Sequence, residues 1–147
     1  MEHQRQGKFE CFPTTVAMLI GEDKDRIVRE AICGVGLPPG TSWAEAVNSQ
    51  HCSRLFRYVR EHFASWIPVE MLMLGAGQLG GIEEPDLTGK GTLFWLSPSA
   101  TSRHATAFED GLVFDPLEEG PAPFKDCRMV QKGWKLESVN RKPAEPR

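Results

Sequence analysis

The stretch His104-Ala105-Thr106-Ala107-Phe108-Glu109-Asp110-Gly111-Leu112-Val113-Phe114-Asp115 reads as two strands joined by a two-residue turn. Asp110-Gly111 suits the mirror-image turns whose twist matches paired strands, because both central residues there take positive φ. The hairpin therefore sets an antiparallel sheet in the C-terminal half of the chain. Just upstream, Thr92-Leu93-Phe94-Trp95-Leu96 supplies a further strand, and short strands are expected around Arg128 to Gln131 and Trp134 to Val139. Val69 to Leu74 is an apolar run of buried-strand length, and the region from Gly75 to Gly91 is rich in glycine and turn formers.

The N-terminal half follows a helical pattern instead. Pro13 suits a first helical turn, and Val16-Ala17-Met18-Leu19-Ile20 is apolar on every side, so this helix is expected to be buried all round until Gly21 stops it. Asp23 can cap a second helix to about Cys33, with Ile27, Val28, Ala31 and Ile32 on one face and Gly34 as terminator. Pro38 and Pro39 mark a loop, Ser42 can cap a short helical turn through Val47, and Leu55, Phe56, Val59 and Phe63 recur at helical spacing between Cys52 and Ala64. Helices first and an antiparallel sheet afterwards define an α+β chain. Its 147 residues suit one domain, expected over residues 1–140, with residues 141–147 a mobile tail.

Seventeen basic against twenty acidic residues give a net charge of −3, which argues against a general nucleic-acid binder. No apolar stretch reaches the roughly 20 residues of a membrane helix. The opening Met1-Glu2-His3-Gln4-Arg5 carries no apolar signal core, so a cytoplasmic protein with reduced thiols is expected. The run Gly75-Ala76-Gly77-Gln78-Leu79-Gly80 satisfies a dinucleotide-binding pattern, but Gly81 and Pro85 follow and no helix opens to hold a pyrophosphate. It reads as a flexible loop, and no cofactor is expected.

The four cysteines could form two disulfides in three pairings, or act singly in a reducing compartment. His51 and Cys52 are adjacent, and nothing provides the spaced donor pair that structural zinc needs, so no metal is expected. Cys33 and Cys127 read as small core residues. Cys11 differs: it lies where a helix begins, and the unpaired amides and positive dipole end of that helix favour a negative sulfur. A thiolate nucleophile needs an acid/base partner, usually a histidine oriented by a third group. His104 begins an apolar strand, and Asp115 ends the next one, where antiparallel neighbours come within hydrogen-bond reach. Cysteine at a helix start followed by histidine and aspartate on neighbouring strands makes a candidate Cys-His-Asp triad.

The run Gln6-Gly7-Lys8-Phe9-Glu10-Cys11-Phe12-Pro13-Thr14-Thr15-Val16-Ala17-Met18-Leu19-Ile20-Gly21 resembles the nucleophile segment of papain-like cysteine peptidases, in particular the bacteriocin-processing (double-glycine) peptidases and their stand-alone relatives. The segment from His104 to Pro116 resembles their histidine strand, hairpin and Asp-Pro ending. Together the two segments span about a fifth of the chain. The resemblance implies a papain-like fold with a buried nucleophile helix against the sheet, Cys11 as nucleophile, His104 as general base and then acid, and Asp115 as the orienter of the imidazole. The family's oxyanion glutamine stands six residues before its cysteine, a position held here by Arg5, with Gln4 and Gln6 on either side. Gln6 is favoured and Gln4 is the alternative, with the Cys11 backbone N–H as the second donor. Phe12 stands where the family most often has glycine, and a side chain there is expected to narrow the cleft or cover the thiol.

The implied activity is hydrolysis of a peptide or protein substrate through a thioester, as peptidase, isopeptidase or amidase. The double-glycine peptidases are joined to a membrane transporter domain that these residues do not include, so their substrate is not carried over. Short stand-alone chains of this type include phage and accessory proteins. An alternative is therefore a catalytically silent binding module, such as a host-directed phage protein whose site Phe12 closes and whose cleft rim or glycine-rich loop meets a protein partner. A third reading has Cys11, His104 and Asp115 merely holding an ion.

Overall fold

The apolar run after Cys11 forms α1 (Cys11–Ile20), in which every residue from Phe12 to Leu19 is buried. Gly21 closes it in the left-handed conformation at φ 73°. The chain is described here by a computed structural model over residues 1–69 and 84–144. α2 (Lys24–Gly34) starts at Asp23, whose carboxylate accepts the Asp25 N–H at 3.0 Å. α3 (Trp43–Val47) starts at Ser42, whose hydroxyl accepts the Glu45 N–H at 3.1 Å. α4 (Cys52–Phe63) buries Leu55 and Val59.

The role expected of Gly34 falls elsewhere. Gly34 is the last residue of α2, and the left-handed position belongs to Gly36 at φ 86°. What Gly34 provides is proximity: the Tyr58 ring of α4 occupies the space that a β-carbon would fill.

Among the described residues five strands follow: β1 (Lys90–Leu96), β2 (Arg103–Glu109), β3 (Leu112–Phe114), β4 (Ala122–Pro123) and β5 (Lys135–Arg141). They form one sheet in the order β4-β3-β2-β1-β5, with every neighbouring pair antiparallel. Asp110 (φ 45°) and Gly111 (φ 88°) make the expected turn between β2 and β3. The architecture is thus α+β.

Side chains alternate across the sheet, as the pleat requires. Phe94 and Ala105 join Phe12, Val16, Ile27 and Leu55 in the core beneath the helices. Leu93, Trp95, Phe108 and Val113 form a second cluster with Phe124 and Met129. Thr15 Oγ1 donates to the Ala105 carbonyl at 3.2 Å, fixing α1 against β2.

Three expectations change. Arg128–Gln131 is not a strand but a short helix, α5, whose last amide donates to the Cys127 carbonyl at 3.1 Å. Arg141 belongs to β5 rather than to a tail: it pairs with Gly91, and the Lys142 N–H donates to the Lys90 carbonyl at 2.8 Å. β4, only two residues long, was not anticipated. Of the strand expected over Val69 to Leu74 only Val69 is described, and it is exposed. The glycine motif from Gly75 to Gly80 lies outside the described residues, as do residues 145–147.

Candidate active site

Cys11 is the first residue of α1, so its backbone N–H has no carbonyl one turn back within the helix to donate to. Glu10, at the N-cap, makes no capping bond. Its carboxylate turns back instead, accepting the Gly7 N–H at 2.8 Å and pairing with Lys24 Nζ at 2.5 Å. The positive end of the helix is thereby left to the thiol.

His104 and Asp115 meet as the hairpin reading requires. β2 and β3 pair Ala107 with Phe114. One step further would set Asp115 opposite Thr106, which shares a strand face with His104. His104 Nε2 lies 2.7 Å from Asp115 Oδ1, which also accepts the Leu117 N–H at 2.9 Å. His104 is 6% exposed and Asp115 2%. With Nε2 engaged by Asp115, the Cys11 thiol is the other side chain that bears on the charge of the His104 ring. Burial pulls the His104 pKa down, but hydrogen bonds and charge attraction from Asp115 and Cys11 outweigh it and hold the value at about 9. Trp134 stands edge-on to the imidazole, with ring centroids 6.4 Å apart.

The two glutamines differ in place, although Gln6 Nε2 also donates one hydrogen, to the Gly7 carbonyl at 3.1 Å. Gln4 is spent at the other end of α1, donating to the Glu22 carbonyl at 2.6 Å and accepting the Lys24 N–H at 3.0 Å. It lines a depression beside Met18 and Gly21, away from Cys11, and so drops out as a donor there. Gln6 lies in the same cleft as Cys11 and His104. Its backbone N–H donates to the Pro116 carbonyl at 3.0 Å, fastening it to the segment after Asp115. His3 Nε2 donates to the Asp115 carbonyl at 2.9 Å from the same N-terminal stretch.

The cleft has a volume of about 590 Å³, with apolar walls from Phe9, Leu117, Met129 and Trp134. Phe9 holds the left-handed conformation at φ 60° and is half exposed. Trp134 and Phe9 escaped the sequence reading as site residues. The glycine before Trp134 and the short spacing from Phe9 to Cys11 were the only signals.

No protein-family model, curated protein or solved structure matches this chain.

Phe12 does not do what was expected of it. Its ring is 1% exposed and packs in the core against Phe56 and Phe94, with centroids 5.2 and 6.0 Å away. One position along a helix from Cys11 turns its side chain by about 100°, away from the cleft. All four cysteines are free. Cys33 is exposed rather than in the core, on the solvent side of α2, whereas Cys127 is buried. Burial pushes the Cys52 and Cys127 thiols up. Among the described residues, no group of three or more His, Cys, Asp or Glu side chains is assembled to hold a metal ion, Cys11, His104 and Asp115 included. Nor is any helix among them long and apolar enough to cross a membrane.

Proposed function

We propose that the chain is a cysteine-dependent hydrolase of the papain-like class, a peptidase, isopeptidase or amidase related to the stand-alone double-glycine peptidase group. The observation that carries the reading is the buried imidazole of His104, held at one nitrogen by Asp115 and set beside the Cys11 sulfur at the N-terminus of a buried helix. The same reading puts the protein in the cytoplasm, where the thiol stays reduced.

In this scheme the Cys11 sulfur attacks an amide carbonyl carbon, and the carbonyl π pair moves onto oxygen. The Cys11 backbone N–H and the Gln6 side-chain amide stabilise that oxyanion. The C–N bond then breaks as the imidazolium of His104 gives its proton to the departing amine, leaving a thioester. Water attacks the thioester while His104 takes its proton, and the sulfur leaves. Asp115 keeps the ring in place and offsets its charge throughout. The silent-module alternative depended on Phe12 closing the site, and the burial of Phe12 in the core removes that support.

The test is alkylation by iodoacetamide at pH 6–7 with the modified cysteine mapped by mass spectrometry. Cys11 is expected to react at least about tenfold faster than exposed Cys33, with the advantage reduced by His104→Ala. Equal rates at Cys11 and Cys33 would overturn the proposal.

A further inference from the structure

We infer that the cleft beside Cys11 accepts an acidic peptide segment bearing one large apolar side chain. The inference rests on the hydrolase reading and specifies its substrate. Although the chain carries a net charge of −3, the residues lining this cleft include Lys8, Arg103, Arg128 and Lys132 and no aspartate or glutamate. Arg103 is answered by Glu137 at 2.7 Å and Arg128 by Glu118 at 3.5 Å. Lys8 and Lys132 are exposed, and Lys8 Nζ lies 5.5 Å from the Phe9 ring centre. The positive field is local: Glu118, Glu119 and Asp126 line the adjoining depression, which shares Arg128 and Lys132 with the cleft. A concave, partly apolar site of one sign concentrates ligands of the other sign.

The apolar half of the inference comes from Phe9 and Leu117, 50% and 38% exposed, both on the cleft wall. Phe9 keeps a left-handed backbone that a non-glycine residue adopts only at an energetic cost, and such outliers concentrate at ligand clamps. An extended peptide can seat one apolar side chain between these two while its neighbouring carboxylates meet Lys8 and Lys132. A polyphosphate backbone fits less well, because it carries no apolar side chain to seat between Phe9 and Leu117.

The probe is a fluorescein-labelled poly-Glu peptide with one central leucine, followed by fluorescence polarisation on the unmodified full chain. Replacing Glu by Gln in the peptide, or making the Lys8→Glu/Lys132→Glu double variant, is expected to weaken binding by at least about tenfold. Lys8→Gln/Lys132→Gln should fall between, and added salt should weaken the wild-type complex. The bound peptide should also slow iodoacetamide labelling of Cys11. Equal binding of the Glu and Gln peptides, equal binding by the charge-reversed variant, or tighter binding of a single-stranded oligonucleotide of matched charge would each overturn the inference. Binding needs no nucleophile, so the two readings fail separately: charge-selective binding without selective Cys11 labelling defeats only the hydrolase, and the reverse defeats only the substrate class.

Discussion

His104 Nε2 and Asp115 Oδ1 lie 2.7 Å apart with both residues buried, His104 on β2 and Asp115 one residue past the end of β3, across the turn at Asp110 and Gly111. The imidazolium survives burial because that carboxylate and the Cys11 sulfur surround it. In the unfolded chain His104 would titrate near 6.5, and in the folded chain it does so at about 9. The stability contributed by this proton is therefore fully present below pH 6.5 and lost as pH rises through about 9. Urea midpoints should fall across that window in the wild type and much less in His104→Ala. On the proposed function, amide turnover would draw on this proton for the leaving amine and should decline over the upper part of the same window.

Asp115→Asn keeps the shape of the side chain but removes its charge. The His104 pKa should drop, since burial then acts with less opposition, and imidazole NMR titrations in the two proteins will read the change. Asp115→Ala, which strands a buried imidazolium, should cost about 3–5 kcal/mol of stability by urea unfolding at pH 6.

Gln6→Ala should lower the acylation rate with p-nitrophenyl acetate by about 100-fold or more if its amide serves the oxyanion. Gln4→Ala should leave that rate near wild type and lower stability by about 1 kcal/mol, because it deprives the Lys24 N–H of its acceptor at the start of α2.

Phe12→Ala should destabilise the fold by about 3–5 kcal/mol, since a fully buried ring is lost from between Phe56 and Phe94. Phe12→Leu should cost less. In neither variant should Cys11 alkylate faster under native conditions, because the ring does not shield the sulfur.

Gly34→Ala brings a methyl group into the Tyr58 ring and should cost about 1–3 kcal/mol in thermal or urea unfolding. The double variant Gly34→Ala/Tyr58→Ala should recover part of that loss, which separates crowding from helix propensity.

Legibility in the sequence followed physical signal strength. The hairpin was readable because Asp110-Gly111 is a turn with one favoured chemistry, and α1 because an unbroken apolar run at helical length has few other homes. α5 reads as a strand because four residues cannot display a helical period, and the apolar Met129 and Val130 imitate one. Gly34 reads as a stop because glycine punctuates helices, and only the approach of Tyr58 from a distant helix reveals its other use. The same limit governed the site. Cys11, His104 and Asp115 each carried local cues, whereas the choice between Gln4 and Gln6, the direction of Phe12 and the arrival of Trp134 depend on contacts made across the whole chain.

The bond from Thr15 to the Ala105 carbonyl joins residues 90 positions apart. Its length in sequence sets an order of events: the hairpin can bring His104 and Asp115 together by itself, but the Cys11 sulfur reaches them only when the helical and sheet halves of the polypeptide dock. Contacts of such long range form at a high entropic cost and late. A half-made or partly melted chain therefore holds its Cys11 thiol apart from the imidazole, and on the proposed function its chemistry would await the end of folding.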